Sequence, residues 1–448
     1  MSRTACLAVV PALIPALVPA LVLLTAAPAA RAGTPDRGLA GLDEIYPKLD
    51  ALYLDLHKNP ELSMKEERTS ARLASELKAL GYEVTTGVGG TGVVGVLKNG
   101  AGPTVLLRTE LDALPVEEKT GLAYASTARV VDIDGKTQPA MHACGHDVHM
   151  AGWTGAAALL ARHKDLWHGT VLMIGQPGEE IVRGAKAMIA DGLFKRFPKP
   201  DFALAVHDTS DEPAGKVLIV PGFGMASVDS VDITIFGRGG HGAKPHTTVD
   251  PITIAARTIL ALQTLISREK DPLEPGVITV GSIHGGTKHN IIPDEVKLQI
   301  TVRTYNPAVR KQLLDGIARI AKAEAASANA PREPEVAYSQ AQDSTYNDPA
   351  LAHRLEAVLA QRLGKANVTE GKPEMVAEDF GELGKAAGVP SVLIRVGAVE
   401  PKKHAAALAA GTPLPSLHSA TFAPDRERTI RTDASVLVLA TLELLGTK

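Results

Sequence analysis

Short, almost wholly apolar runs recur along this chain of 448 residues: "TVLLR" from Thr104, "TVLMIG" from Thr170, "FALAV" from Phe202 and "SVLIRVG" from Ser391. Runs of this kind leave no wet face, so each strand must be covered on both sides. The stretches between them include "MAGWTGAAALLARH" and "GAKAMIADGLF", which read as helices. Apolar strands alternating with helices specify an α/β domain whose mostly buried sheet is flanked by helices.

Near residue 226 the pattern changes. Val231, Ile233 and Ile235 alternate with Asp232 and Thr234, and Val296, Leu298, Ile300 and Val302 alternate with Lys297, Gln299 and Thr301. These are strands with one wet face. Together with the helical "PITIAARTILALQTLISRE" and "VRKQLLDGIARIAKAEAA" and the strand "VITVGSIHGG", they predict a small inserted α+β domain over 226–336. The α/β domain then has two segments, 33–225 and 337–448, in keeping with a length beyond the reach of one core. Ser63 to Glu66 has the spacing of a capping box before the helix "ERTSARLASELKAL", which Gly81 stops. The Ala/Pro-rich "AVEPKKHAAALAAGTPLPS" reads as a long loop.

Residues 1–32 read as a secretory signal peptide, with Arg3, an apolar run and the small-residue site "AAPAARAG". Pro11, Pro15 and Pro19 interrupt the run, so no stable membrane insertion is expected. The mature protein is expected to be exported, to the periplasm or beyond. A formal net charge of -3 at pH 7 gives no reason to expect nucleic acid as a partner. Cys6 leaves with the leader, and Cys144 alone cannot form an intramolecular disulfide.

Chemistry-bearing residues collect where the apolar runs end. "TVLLR" leads to Glu110 and Asp112, "TVLMIG" to Glu179 and Glu180, "FALAV" to His207, and "SVLIRVG" to the segment holding His418. Ligands of open α/β sheets bind outside those strand ends. In "PAMHACGHDVHM", Cys144 and His146 stand two apart and would face one side of an extended segment. With His207, His418 and a carboxylate from Glu179 or Glu180 there are donors for two divalent ions. Zinc suits the thiolate and imidazoles, and the carboxylates admit manganese or cobalt.

Seven motifs in order, "LLRTELDALPVEEKTG", "MHACGHDVHM", "GQPGEE", "GRGGHGAKPH", "HNIIPDE", "AEDF" and "LHSATFAPD", make the chain resemble the bimetallic amidohydrolases and carboxypeptidases related to aminoacylase. Within that group it is similar to the branch of hippurate hydrolases and auxin-conjugate hydrolases. The resemblance runs from about residue 42 to the C-terminus and makes the inserted domain a lid. It implies that Cys144, His146, Glu180, His207 and His418 hold the metals, that Glu179 is the catalytic base, and that His241 and Asn290 reach from the lid toward substrate. Glu110, which stands where relatives usually carry Asp, and Asp112 would support the ligands from behind. Gly178 stands where Ala is common, and "VHDTSDEPAG" departs from the usual segment after the ligand histidine.

Arg303 is out of phase with the apolar face of "VKLQITVRT" and can point away from the lid core, which offers a cation for a substrate carboxylate. The expected activity is metal-dependent hydrolysis of the amide bond of an N-acyl amino acid or short peptide with a free C-terminal carboxylate. A homodimer through the lid is the assembly to test. Two other classes use the same residues. One is a metal- or solute-binding protein without catalysis, which would have no use for Glu179; the other is a cysteine hydrolase built on Cys144 and a histidine.

Overall fold

The apolar runs become strands of one eight-stranded sheet in the order Glu83–Val88, Gly92–Asn99, Gly169–Gln176, Thr104–Glu110, Phe202–Pro213, Ser391–Val399, Val217–Ile219, Val368–Glu370. The computed structural model describes residues 36–446, so the expected leader over 1–32 lies outside the described residues. The four middle strands run parallel. Gly92–Asn99 and Val217–Ile219 flank them in the antiparallel sense. Leu107, Val171, Leu204 and Ile394 share one core with Trp153 of the helix His146–Arg162 and Val436 of the helix Arg426–Leu445. Leu106, Leu172, Ala203 and Leu393 share a second core on the opposite face with Met188 and Phe380. The four middle strands are therefore dry on both sides except near their ends, whereas the edge strands Glu83–Val88 and Val368–Glu370 are partly exposed.

A second, antiparallel sheet has the order Gly276–His284, Glu295–Thr304, Val228–Phe236, Glu335–Gln342. Its apolar side packs Val231, Ile233, Ile235, Leu298 and Ile300 against Ile254 and Leu262 of the helix Pro251–Thr264 and Leu313 and Ile317 of the helix Pro307–Ser327. Asp250 and Asn306 accept from Ile252 N and Ala308 N and start those helices ahead of a proline. The last strand, Glu335–Gln342, pairs along Val228–Phe236, so this sheet runs past residue 336. Its gain is an extra row of ladder bonds on what would otherwise be an open edge.

Two local expectations are corrected. Ser63 and Glu66 do not form a capping box: Ser63 Oγ donates to Asp112 at 2.6 Å, and Glu66 accepts from Met64 N and from Gly178 N at 2.8 Å. Both side chains are buried, where tertiary donors and acceptors must be satisfied first. The expected loop after residue 398 contains the helix Pro401–Ala410, started by Glu400, which accepts from Lys402 N and Lys403 N. Its alanines favour that state once the cap is in place. Among the described residues no helix is long and apolar enough to cross a membrane.

Candidate metal centre

On the face of the sheet that packs against Phe380, the strands turn polar as they end. Leu106 is followed two residues on by Arg108 and then Glu110, Ile174 by Gln176, Ala205 by His207, and Leu393 by Arg395. Parallel register places Arg108 beside Ala205 and Arg395 beside His207, so these side chains leave one face in a row.

Cys144 and His146 come together by a turn rather than by an extended segment. Gly145 has φ +81, the left-handed region, and His146 opens the helix His146–Arg162. A Cβ on Gly145 would lie 2.6 Å from Asp208 Oδ2, so both the turn and the packing demand glycine there. Glu179 and Glu180 sit on the loop after Gly169–Gln176. Asp112 grips that loop, accepting from Glu179 N at 3.2 Å and Glu180 N at 3.0 Å. His418 reaches in from the other side with φ +64, its N–H donating to the Ala143 carbonyl at 2.8 Å.

The five residues converge. Cys144 Sγ lies 3.3 Å from His418 Nε2 and 3.6 Å from His207 Nε2. Glu180 lies 3.5 Å from His418 Nε2 and 3.8 Å from His146 Nε2, and Glu179 lies 3.9 Å from that same nitrogen. His146 Nδ1 and His207 Nδ1 each lie 2.8 Å from a backbone carbonyl, of Asp112 and Asp208. With Nδ1–H committed in that way, Nε2 is the free ligand atom of each ring.

His146 Nε2 and Glu180 Oε1 are buried, face one another and have no hydrogen-bond partner among the described residues. Orphaned polar atoms of this kind are costly unless something fills the gap between them. With Cys144 they form a trio whose ligand atoms all lie within 4.8 Å of one another. A thiolate, an imidazole and a carboxylate so arranged fit a divalent cation. Without one, burial and the charges of Glu180 and Glu179 push the Cys144 thiol well above its ordinary range. Burial likewise raises the Glu180 carboxyl to about 7, although His146 pulls against it.

A cysteine hydrolase is the wrong chemistry for this setting. Its nucleophile needs an imidazolium to hold the thiolate. Burial and His149 hold His207 down at about 3 and burial lowers His418; against burial, Asp112 lifts His146 to about 9, yet the Cys144 thiol itself is still held well above its ordinary range.

Glu110 and Asp112 lie where ligand-supporting residues would. Glu110 accepts from His149 Nδ1 at 3.1 Å and pairs with the buried Arg108. His149 Nε2 accepts from Asp208 N at 2.8 Å, which locks the residue after His207. Sequence reasoning leaves His149 without a role, although its place three residues after His146 on one helix face is the signal that finds it. Glu378 and Asp379 of "AEDF" also belong here. Arg108 bonds both, and Asp379 accepts from Gln176 Nε2 at 2.6 Å and Ala185 N at 3.1 Å, bracketing the loop that carries Glu179 and Glu180.

A cavity of about 580 Å³ opens onto this cluster. Cys144, Glu179, Glu180, His207 and His418 line its floor, with Arg303 of the second sheet on its wall. His241 and Asn290 are not among the lining residues. They lie beside each other at an exposed end of the second-sheet unit, where His241 pairs with Ile291 and Gly242 N donates to Asn290 O.

A parallel sheet edge bearing a buried thiol, imidazole and carboxylate cluster with an extra carboxylate beside it defines the metal-dependent hydrolase class. The comparisons agree. Residues 106–415 match peptidase family M20/M25/M40. Thermostable carboxypeptidase 2 of Saccharolobus solfataricus is 38% identical over 339 residues, 75% of this chain and 82% of that protein. Hippurate hydrolase of Campylobacter jejuni is 37% identical over 340 residues, 75% of this chain and 85% of that protein. The Bacillus subtilis YXEP structure, a dinuclear metal-binding peptidase of the M20 family, matches with TM-score 0.72 and 26% identity over 90% of this chain and 100% of that one. The chain belongs to peptidase family M20/M25/M40 and is a metal-dependent hydrolase of amide or peptide bonds.

Proposed function

We propose that this enzyme removes an acyl or aminoacyl group from an amino acid whose carboxylate is free, using two divalent ions held by Cys144, His146, Glu180, His207 and His418. The observation that carries this reading is the pair of unpartnered buried atoms, His146 Nε2 and Glu180 Oε1, beside Cys144 and Glu179. Bound there, zinc, manganese or cobalt would polarise the scissile carbonyl and lower the pKa of water toward ~7.

Glu179 is the residue free to move a proton. Its backbone is fixed by Asp112, and burial followed by Glu378 and Glu180 pushes its carboxyl well above the ordinary range. It takes a proton from the attacking water and returns it to the leaving nitrogen, a duty that typically contributes ~10²- to 10⁴-fold. Arg303 suits the substrate carboxylate, being half-buried on the cavity wall with no hydrogen bond or ion pair among the described residues.

The test separates the two neighbouring glutamates. Glu179→Gln should keep metal and fold and lose at least about 100-fold in kcat on an N-acyl amino acid. Glu180→Gln should instead lose metal. Retention of more than about a tenth of kcat by Glu179→Gln would assign the base elsewhere.

We further infer a homodimer through the second sheet and export after removal of residues 1–32. The outer edge of Gly276–His284 has no strand neighbour among the described residues, and Leu260 is 72% and Ile291 50% exposed. An open edge of this kind recruits another chain. Sedimentation of the purified protein tests the dimer, and N-terminal sequencing of exported protein tests the cleavage site.

A further inference from the structure

The wall of the cavity carries an ion pair that the chemistry above does not use. Arg395 lies in the strand Ser391–Val399, where every residue is buried, and its register partner is His207. It pairs with Glu374 and donates Nη2 to the Lys372 carbonyl at 2.6 Å. Both members line the cavity. The side chain of Arg395 is 7% exposed and that of Glu374 is 35%, so the carboxylate is the group a ligand meets.

Holding the loop does not require the pair. Gly371 N donates to Ile219 O at 2.9 Å, Glu374 N to Gly224 O at 3.0 Å and Ala226 N to Val376 O at 2.8 Å, which fixes the segment by its backbone alone. An aliphatic side chain would fill a buried strand position without the cost of burying a guanidinium. A charge kept at such cost, beside a metal ligand and facing the cavity, is placed for recognition.

We propose that Glu374, oriented by Arg395, binds the free α-ammonium of a dipeptide substrate, so that the site distinguishes dipeptides from N-acyl amino acids of the same shape. The proposal rests on the amide-hydrolase reading with the substrate carboxylate at Arg303. An extended dipeptide carries its two charges about 7 Å apart, a span that a cavity of this volume contains. In this arrangement Glu374 is a binding residue and Arg395 a positioning residue.

The decisive comparison uses Ala-Phe and isobutyryl-Phe, in which a methyl group replaces the ammonium, on metal-loaded enzyme near pH 6.5. Wild type should favour Ala-Phe by about 10-fold or more in kcat/KM, the range of a charge-assisted hydrogen bond. Glu374→Gln should abolish that preference by lowering Ala-Phe alone, chiefly through KM, with metal content and isobutyryl-Phe hydrolysis unchanged. In wild type the preference should fade as pH rises past ~8, where the α-amine loses its charge. A Glu374→Gln enzyme that loses both substrates alike, or neither, overturns the proposal. So does one that gains activity on N-acyl aspartate or glutamate, since Arg395 would then be reading a second carboxylate. Hydrolysis of neither substrate by wild type would overturn the amide-hydrolase reading as well.

Discussion

On the eight-stranded sheet, one face passes from apolar to polar or charged within two residues: Leu106 to Arg108, Ala205 to His207, Leu393 to Arg395. On the four-stranded sheet the alternation in Glu295–Thr304 runs unbroken to the strand end, with Val296, Leu298, Ile300 and Val302 all buried. The first sheet thus spends its strand ends on chemistry, whereas the second spends its whole length on its own core. Candidate ligands and their supports on the first are, His418 apart, largely buried and cross-tied, as His146 is to Asp112 and Glu110 to Arg108 and His149. Candidates on the second are exposed or unpaired, and of the three only Arg303 reaches the cavity. Charge-state chemistry needs fixed geometry, while substrate recognition by a closing element tolerates looser placement.

Breaking the first region should cost most. His146→Ala should empty the Cys144–His146–Glu180 trio and reduce turnover by more than about 100-fold, beyond what loss of a supporting group costs. Metal analysis alongside kinetics checks this, and unchanged metal content would remove His146 from the site. Asp112→Asn keeps the shape but weakens the grip on Glu179, Glu180 and His146. About 10- to 100-fold in metal affinity is expected from competition with a chelator.

Smaller effects belong to the second region. Arg303→Ala should cost roughly 10- to 150-fold in kcat/KM on an N-acyl amino acid and nothing on its C-terminal amide. Equal rates for acid and amide on wild type would show that the carboxylate is not read. His241→Ala and Asn290→Ala should alter kcat/KM only where the chain self-associates, so their effect should vanish on dilution. An effect independent of protein concentration would bring both residues to the cavity of their own chain.

Much of this contrast is legible in the residues alone, because a polar or charged side chain at the end of an apolar run is a visible break in pattern. Glu110, His207 and the Glu179–Glu180 pair stand out in that way. Cys144 and His146 do too, but their two-residue spacing suggests an extended segment, and only the left-handed Gly145 shows that a turn does the work. Glu378 and Asp379 carry no periodic signal. They meet Arg108 across 270 and 271 residues of chain, a contact that no local pattern encodes. Arg395 is hidden by its neighbours, since one cation inside "SVLIRVG" does not change the reading of a buried strand.

The last effect is on stability rather than turnover and lies behind the centre. His57 Nδ1 lies 2.6 Å from Asp147, and Glu118 lies 3.2 Å from Nε2. Burial opposes its charge, but those two carboxylates outweigh burial and lift the imidazole from 6.5 to about 10. A raised folded-state value means the stabilisation is full below pH 6.5 and is lost as pH climbs toward 10. Denaturant unfolding of chelated protein should show this decline, and His57→Gln should flatten it. An equal slope in wild type and variant would rule His57 out as its source.

The most direct test of the buried cluster as a metal centre is elemental analysis of native protein, run beside activity before and after exhaustive chelation. Two divalent ions per chain are predicted, with lower occupancy in Cys144→Ala and with activity lost on chelation and restored by metal. Full activity after exhaustive chelation, or native active protein without a divalent ion, would contradict it.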